Sequence, residues 1–530
     1  RELFTDNGLA HLLSVSGTHI VLLTGLLLAL LQWVPLPWRK VIVITLLTAY
    51  ALLCGLRPPV LRALAMSSVL LLGGSGAERG RLLCLVAALL LCLQPLWLAD
   101  IGFQLSFGAA AGLLWLLPAC QRLLPQALPA PIGEAAAVSL AAQLAVLPLE
   151  VYYFQQFSLI ALVSNIVLVP VLEIAAQLAL VGALLPVCGE YLLQLAAWLT
   201  AQVLTQARFF ADLPYSTVVI GKLPAYCLVL YYAALFVWAD FPWLQFWSNR
   251  ERRCILLLHA LLLAGMLAYQ QYRTLPLACY FLDVGQGDCA VIVTPSQRVA
   301  IIDTGGLKNI STATRVITPF LRYLGKREAD ILLLSHYDFD HVGAAADLLR
   351  QLRVKKLLLP NEALTEESKR VQQEILAQAG RTQAHVVQGG ERYALDDNAE
   401  IVLVDVPQQD VPGNEASTLA ALQSVQGSVL FTGDMGEERE QRLQLQQYTV
   451  LKAGHHGSHY SSSMEFLEQV RPRLTVISCG RGNRYGHPHQ ETLERLQAIG
   501  SAVVRTDELG CIKVVFDAEG IKCYGYADLQ

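Results

Sequence analysis

The stretch "LLLSHYDFDHVGA", residues 332–344, decides the fold of the second half of this 530-residue chain. Its apolar beginning indicates the end of a buried strand, and the polar residues follow where that strand ends. His336, Asp338 and Asp340 occupy alternate positions, and His341 is adjacent. Imidazole nitrogens and carboxylate oxygens suit zinc, manganese or iron rather than a thiolate-bound structural zinc. The stretch therefore predicts a metal site at the edge of a sheet.

Further strand ends in this half carry polar residues of the same kind. Asp434 ends "LFTGD", His455 and His456 follow "VLKAG", and the loop "YGHPHQ" holds His487 and His489. A surface turn rich in polar residues explains one such cluster, but it does not explain their recurrence. Helical segments such as "ESKRVQQEILAQAG" lie between the apolar runs. This order favours a sheet sandwich covered by helices.

The composition divides the chain into two domains. The whole chain is 54% hydrophobic and 15% charged, against about 25% charged residues in ordinary soluble proteins. Residues 1–273 contain 14 Lys and Arg and 11 Asp and Glu, and residues 274–530 contain 25 and 32. We therefore expect a polytopic membrane domain at 1–273 and a soluble domain at 274–530.

Long apolar stretches in the first domain have the length of membrane spans, about 20 residues each. Ten candidates lie at about 9–32, 41–56, 60–76, 82–98, 101–118, 134–151, 158–186, 190–211, 222–240 and 254–270. Several are short or contain Pro and Gly, so one or two are candidates for re-entrant or interfacial segments.

Lys and Arg in short loops mark the cytoplasmic side of a membrane. The basic loops follow the first, third, fifth and ninth candidate spans, and they contain Arg39 and Lys40, Arg79 and Arg81, Arg122, and Arg250, Arg252 and Arg253. All four loops then lie on one side, and the tenth span ends on the other. The soluble domain is therefore predicted to lie outside the cytoplasm.

Polar residues within or at the ends of the candidate spans are costly in lipid and usually face a cavity or a partner. The set is His11, His19, Gln104, Gln143, Glu150, Asn165, Glu173 and Gln177. Hydrogen bonding between helices is the better explanation for any single member, whereas the group favours a polar passage. His19 is the candidate channel residue.

The stretches "GLAHLLSVSGTHI", residues 8–20, and "GLRPPVLRALAM", residues 55–66, resemble the competence domain of the ComEC family of DNA-uptake membrane proteins. The resemblance covers roughly residues 1–240. It implies a multi-pass protein of the bacterial inner membrane that passes a single DNA strand, with other DNA-uptake proteins as partners. Because the chain begins with Arg1 and has no signal peptide, we expect a fragment lacking its N-terminal region.

The second half resembles the metallo-β-lactamase superfamily, whose motif is His-x-His-x-Asp-His followed by a lone His, a bridging Asp and a final His. His336, Asp340 and His341 match this motif, and Asp338 replaces its second His, as in the ComEC branch. The resemblance implies two divalent metal ions. The expected fold is a multi-domain chain, with an α-helical membrane domain of about ten spans followed by a soluble α/β metallo-β-lactamase-like αββα sandwich.

The later ligands follow from the same resemblance. Asp434 matches the bridging carboxylate. His456 matches the final His because a glycine directly follows it, which leaves His455 for substrate or proton transfer, although the tandem can be assigned either way. Asp340 would bind one metal and orient the attacking water.

The lone middle His of the superfamily has no good counterpart in this chain. His385 is misplaced, and Asn414 and Ser417 occupy the corresponding region, again as in the ComEC branch. One metal therefore has a weaker ligand set, and manganese is as acceptable there as zinc.

The ligand types favour phosphodiester hydrolysis. Two metals about 3.5–4 Å apart can activate water and clamp a phosphate. His455 or His489 would assist the leaving oxygen, although a proline-fixed surface turn explains "HPH" equally well. The candidate substrate-binding residues are Asn414, Ser417, Ser458, Arg481, Arg484 and His487.

Bulk charge does not point to a nucleic acid, because residues 274–530 carry a net charge of −7 and nucleic-acid binders usually show a basic face. Arg481 and Arg484, beside His487, form the best local basic patch, and a solvated surface is the alternative explanation.

We favour a DNA-uptake protein whose membrane domain is a channel for one DNA strand and whose metal-dependent nuclease domain degrades the other. One alternative is a membrane-tethered metallo-hydrolase of another phosphoester, for which ten spans are more than an anchor needs. The other is a channel with an inactive hydrolase fold.

Overall fold

The computed structural model describes the chain except for residues 1–16, 56–57, 73–75, 126, 186–188, 212, 214–215, 240–248, 273–274, 309, 362–364, 408–410, 412 and 530. The chain divides into two compact units, Arg1–Ala268 and Tyr269–Gln530. Residues 8–16 of the first competence-like stretch lie outside the described part, as does the side chain of His19, whose backbone lies in the first helix.

The first unit is helical. Its described α-helices are Gly17–Leu30, Leu36–Leu53, Pro58–Leu72, Gly76–Leu93, Ile101–Trp115, Leu117–Leu123, Ala130–Phe154, Ala161–Leu184, Gly189–Ala211, Ala225–Trp238 and Asn249–Tyr272. Two short strands, β1 (Gln156–Ser158) and β2 (Thr217–Val219), pair antiparallel.

Three described helices are long and apolar enough to cross a membrane: Leu36–Leu53, Ala130–Phe154 and Ala161–Ala183. The bent pair Ile101–Trp115 and Leu117–Leu123 adds a fourth if it forms one span. The expected ten spans are therefore not confirmed. Gly76–Leu93 has three charged residues near its start, and Pro58–Leu72, with 15 residues, rises only about 22 Å, less than a hydrocarbon core of about 30 Å.

A proline inside Ala130–Phe154 is accommodated by a neighbouring helix. Pro148 has no N–H group, so the carbonyl of Leu144, four residues earlier, loses its helical donor. The hydroxyl of Tyr231 donates to that carbonyl oxygen at 3.0 Å, and the hydroxyl of Tyr232 donates to Ala145 O at 2.9 Å. These bonds satisfy backbone groups that are costly to leave unpaired in an apolar surrounding.

The described residues of the second unit form two sheets, built from fifteen strands. In chain order they are β3 Leu277–Phe281, β4 Ala290–Val293, β5 Val299–Ile302, β6 Glu328–Leu333, β7 Arg353–Leu359, β8 Gln383–Val386, β9 Arg392–Asp396, β10 Ala399–Asp405, β11 Leu419–Ser424, β12 Gly427–Phe431, β13 Val450–Lys452, β14 Leu474–Ile477, β15 Ala502–Arg505, β16 Ile512–Asp517 and β17 Gly520–Tyr524. One sheet has the order β17-β16-β3-β4-β5-β6-β7-β8, and the other has the order β15-β14-β13-β12-β11-β10-β9.

Helices cover the outer faces of both sheets. The α-helices of this unit are Thr318–Tyr323, Phe339–Val342, Ala345–Gln351, Glu366–Ala379, Glu437–Glu440, Met464–Val470, Gln490–Ala498, Thr506–Leu509 and Tyr526–Leu529. Alternate residues of a strand point to opposite faces. Phe281 and Phe431 therefore meet between the sheets, with ring centroids 6.1 Å apart, while Val291 packs outward beneath Leu348 and Ile375.

The other sheet repeats this arrangement. Leu430 and Leu451 face outward and share a buried cluster with Phe466 and Leu496 of the covering helices. The unit is therefore a four-layered α/β/β/α sandwich, as the sequence predicted.

In both sheets, the carboxyl ends of neighbouring parallel strands lie at the same edge. Strands β5 to β8 are mutually parallel, as are β12 to β15. The loops after β5, β6, β12 and β13 carry the predicted metal-binding and neighbouring residues. Glycines allow two of these loops to touch, because a Cβ added to Gly306 would lie 1.9 Å from Phe339 O and one added to Gly343 would lie 3.0 Å from Gly306 Cα.

Replacing Gly306 with alanine tests this close approach. We expect Gly306→Ala to lower the free energy of unfolding by about 2 kcal/mol, because the loop carrying Asp338 and Asp340 must shift. Gly389→Ala is the control, since a Cβ there meets nothing within 4 Å. Thermal melting of the full chain in detergent measures both, and equal stabilities would contradict the expectation.

Candidate metal centre

Four predicted ligands form one compact group. Ligand atoms of Asp340, His341, Asp434 and His456 all lie within 4.8 Å of one another. His341 Nε2 is 3.1 Å from Asp434 Oδ1, and His456 Nε2 is 3.2 Å from Asp340 Oδ2. Asp434 Oδ2 is also 3.6 Å from His456 Nε2. Two nitrogens and two carboxylates at these separations suit one divalent ion.

The other two predicted ligands lie beside this group. The ring of His336 is 4.2 Å from the ring of His341, measured between centroids. His336 Nε2 is 3.7 Å from Asp338 Oδ2, and the Asp338 side chain is half exposed. The structure thus brings all six predicted metal-binding residues into one site.

Three ligand atoms in this site are buried without a well-formed hydrogen bond: His336 Nε2, His341 Nε2 and Asp434 Oδ1, the last two of which lie 3.1 Å apart. A buried polar atom without a partner costs free energy. A cation between these atoms removes that cost, so the residues fit a metal centre.

The Nδ1 atoms of two of these histidines are held by the protein. His341 Nδ1 is 2.9 Å from Asp303 Oδ2. His336 Nδ1 is 3.0 Å from Ser335 Oγ, which donates to the same Asp303 oxygen at 2.8 Å. Both rings therefore direct Nε2 toward the site, an arrangement that orients metal-binding histidines in other proteins.

The ring of His456 is fixed from the opposite side. Its Nδ1 hydrogen-bonds Ser478 O at 3.0 Å and lies 3.2 Å from Asp288 Oδ1. Asp288 Oδ2 is 2.6 Å from Lys452 Nζ, and both side chains are buried. The backbone N–H of Asp288 also donates to Asp340 O at 3.1 Å. One buried ion pair thus contacts two predicted ligands.

The pKa values of the three buried histidines shift in different directions. Burial and the charge of His341 lower the pKa of His336 to about 3. Burial acts in the same direction on His341 and His456, but nearby carboxylates outweigh it, with Asp434 first in each case. The pKa of His341 is raised well above its ordinary value, and that of His456 is raised to about 10. A metal ion bound at Nε2 must displace these protons, so metal affinity falls at low pH.

A second acidic group, Asp288, Asp303 and His341, also has the spacing of a metal site. Each of its members has another role, because Asp303 accepts from Ser335 and His341, and Asp288 pairs with Lys452. We therefore regard Asp288 and Asp303 as supports for the predicted ligands.

The predicted catalytic residues lie at the mouth of the site. The His455 side chain is partly exposed, with Nε2 3.9 Å from Asp434 Oδ2. The His487 ring lies 5.7 Å from the His455 ring and 6.2 Å from the His456 ring, between centroids. The His489 ring lies 5.0 Å from that of His487. Burial and the charge of His456 lower the pKa of His487 to about 4.

The predicted substrate-binding residues are divided between the interior and the surface. Ser417 Oγ is buried 3.3 Å from His336 Nδ1 and accepts from the N–H of Asp434 at 3.0 Å. Ser458 is also buried, and Asn414 is half-buried, with its carbonyl accepting from Ser417 N. Arg481 and Arg484 are exposed.

The exposed His385, excluded as a ligand by its position, pairs with Glu391 at 2.8 Å.

Sequence reasoning missed four supports of the ligands: Asp288, Asp303, Ser335 and Lys452. The available signals were an aspartate ending "DVGQGD", an aspartate directly after the strand "VAII", and a lysine inside the apolar run "YTVLKAG". A lysine is rarely buried unless it is paired.

The chain matches known proteins over both units. Residues 1–245 match the Competence protein family. ComE operon protein 3 of Bacillus subtilis is 30% identical over 96% of this chain and 68% of its own length. Competence protein ComA of Neisseria gonorrhoeae is 30% identical over 98% of this chain and 72% of its own length. The chain belongs to the ComEC family of competence proteins.

The second unit of this ComEC-family chain has its own match. Residues 282–481 match the metallo-beta-lactamase superfamily, which confirms the predicted superfamily. The crystal structure of the metallo-beta-lactamase fold protein YhfI from Bacillus subtilis is 10% identical and covers 43% of this chain and 95% of that chain, with a TM-score of 0.31.

The buried ion pair below His456 can be tested by removing its cation. We expect Lys452→Met to lower the free energy of unfolding by about 3 kcal/mol, because Asp288 is left buried and unpaired. We also expect Mn²⁺ affinity to fall about tenfold, because His456 and Asp340 lose a fixed neighbour. Chemical unfolding and calorimetric metal titration measure these effects.

Lys355→Met is the matched control. Lys355 is more exposed and pairs with Glu328 at 2.7 Å and Asp330 at 2.9 Å, and such pairs contribute about 1 kcal/mol or less. Unchanged Mn²⁺ affinity in Lys452→Met would show that the ion pair does not position the ligands.

Proposed function

We propose that the second unit hydrolyses phosphodiester bonds of DNA with two divalent ions, zinc or manganese. One ion would be held by Asp340, His341, His456 and Asp434, and the other by His336, Asp338 and a shared Asp434. The observation that carries this proposal is the set of inward-facing Nε2 and carboxylate atoms, three of them buried without a well-formed hydrogen bond.

Bound divalent ions supply Lewis acidity to the phosphate and an activated water for attack on phosphorus. Asp340 would help to hold one ion and orient that water. Burial raises the pKa of Asp340, but the hydrogen bond from His456 and the charges of His341 and His456 together outweigh burial, and the net shift is downward. Asp340 therefore remains a carboxylate at neutral pH.

The departing oxygen requires a proton donor. His489 Nδ1 accepts from the backbone N–H of His459 at 3.3 Å, so Nε2 is the ring atom of His489 that is available for this role. His455 is the other candidate, because its ring is partly exposed beside Asp434. His489 and His455 remain alternative candidates for this proton donor.

We further propose that the first unit passes one DNA strand through the bacterial inner membrane while the second unit degrades the other strand outside the cytoplasm. The names of the two competence relatives support a role in DNA uptake, and other uptake proteins are the expected partners. His19 is proposed to line the passage. Gln104 and Asn165 instead bond within the unit, to Leu98 O and Ser139 Oγ.

Replacing Asp340 tests the hydrolase. We expect the full chain in detergent to cleave an oligonucleotide only with added Mn²⁺ or Zn²⁺, and Asp340→Ala to lower the rate at least about hundredfold. Asp347→Ala is the control, because Asp347 follows on the next helix and pairs with Arg350. Wild-type cleavage by Asp340→Ala at matched purity would refute the assignment.

The orientation is tested by reporter fusions. A phosphatase that is active only outside the cytoplasm should be active when fused after residue 273, because Arg250, Arg252 and Arg253 precede the last predicted span. The same reporter fused after residue 125, beyond Arg122, should be inactive. The reverse pattern would place the metal centre in the cytoplasm and exclude degradation before entry.

A further inference from the structure

Exposed aromatic side chains are concentrated around the metal centre. Within the described part of the second unit, four aromatic residues are exposed: Phe339 at 52%, Tyr460 at 66%, Tyr485 at 64% and Tyr526 at 55%. Phe339 lies between two predicted ligands, Tyr460 follows the His455 loop, and Tyr485 precedes His487. Single exposed rings are ordinary, but three on the loops of one site indicate a binding surface.

Ring contacts connect one of these aromatics, Tyr485, to a predicted ligand. The Tyr485 ring stacks on the His487 ring, with centroids 5.7 Å apart and planes inclined by 26°. The His487 ring is 6.2 Å from that of His456, inclined by 30°. On the other side, the Tyr460 ring lies 3.8 Å from the His459 ring. Tyr485 thus lies two rings away from a predicted metal ligand.

The side chain of Asn483 ties together the loop that carries Tyr485. Asn483 Oδ1 accepts the backbone N–H groups of Tyr485 at 3.2 Å and His487 at 3.0 Å. Asn483 Nδ2 donates to the carbonyls of Gly480 at 3.0 Å and His487 at 2.6 Å. A ring fixed before binding loses little entropy when a ligand stacks on it.

The neighbouring charges suit a polyanion. Arg484 directly precedes Tyr485, and Arg481 lies in the same loop, with both side chains exposed. Elsewhere the unit is acidic, with a net charge of −7 for residues 274–530. A flat ring beside two cations therefore combines the two features by which proteins bind single-stranded nucleic acid.

We propose that Tyr485 is a stacking subsite for a nucleobase adjacent to the scissile phosphate. The subsite rests on the proposed hydrolase function and specifies its substrate. The strand must present an unpaired base, because bases in a duplex are stacked on one another. A phosphoester without a base would bind the metal centre but gain nothing from Tyr485.

The test measures binding separately from cleavage. Anisotropy of a labelled 20-nucleotide oligothymidylate, with the full chain in detergent and EDTA, gives the Kd without hydrolysis. We expect Tyr485→Ala to raise the Kd about tenfold, and Tyr485→Phe, which keeps a ring, to remain within about twofold. Tyr526→Ala is the control for removing an exposed tyrosine, since Tyr526 packs at Gly510. An abasic oligomer of equal length should bind wild type and Tyr485→Ala equally.

The outcomes separate this subsite from the proposed hydrolysis. A Tyr485-dependent Kd without cleavage in Mn²⁺ or Zn²⁺ would support the subsite and refute the hydrolase. Cleavage with an unchanged Kd in Tyr485→Ala would refute the subsite alone. Equal losses for the thymidylate and abasic oligomers would also overturn it, because they would indicate a displaced loop instead of a lost stack.

Discussion

The metal centre depends on how its histidines are held by their Nδ1 atoms. Asp303 hydrogen-bonds Nδ1 of His341 directly, and it reaches Nδ1 of His336 through Ser335. The carbonyl of Ser478 hydrogen-bonds Nδ1 of His456. An imidazole bonded at Nδ1 is fixed both in its rotation and in its tautomer. The Nε2 atoms consequently face the site, in which the carboxylate of Asp434 lies near Nε2 of both His341 and His456. Without these bonds, the buried rings could rotate away from the site.

The loops of the site adopt unfavourable backbone conformations, which the packing of the sandwich stabilises. Asp303, His455 and His456 all have positive φ angles, of 58°, 47° and 54°, and such conformations cost about 1–3 kcal/mol each. Gly306 and Gly287 are pressed against the backbone of the Asp338–Asp340 loop. These loops leave strands whose residues are almost entirely buried. The rigid ends of two packed sheets hold the loops in conformations that a short free peptide would not keep.

The sequence identified the residues that meet at the candidate metal centre because their signal is local. His336 to His341 lie in one short segment, and Asp434 and His456 each end an apolar strand, so chain order alone brings them to one sheet edge. The supports were missed because their signal is not local: Lys452 and Asp288 are 164 residues apart in sequence, and nothing in the sequence shows that they pair until the sheets pack. The span count went beyond the described helices because hydropathy does not show where a helix begins, as the charged start of Gly76–Leu93 illustrates.

The charge distribution constrains how this unit can hold a polyanion. Residues 274–530 carry seven net negative charges, and the best-placed basic residues near the site are two exposed arginines. Two divalent ions would offset only four of those negative charges, directly at the scissile phosphate. Long-range attraction therefore cannot supply the affinity that basic nucleic-acid binders obtain from many phosphate contacts. In the proposed function, short-range contacts supply it instead, namely metal coordination of one phosphate and stacking of a neighbouring base. Such contacts act only on a strand already delivered to the site, which is the task that a membrane unit devoted to DNA uptake would perform.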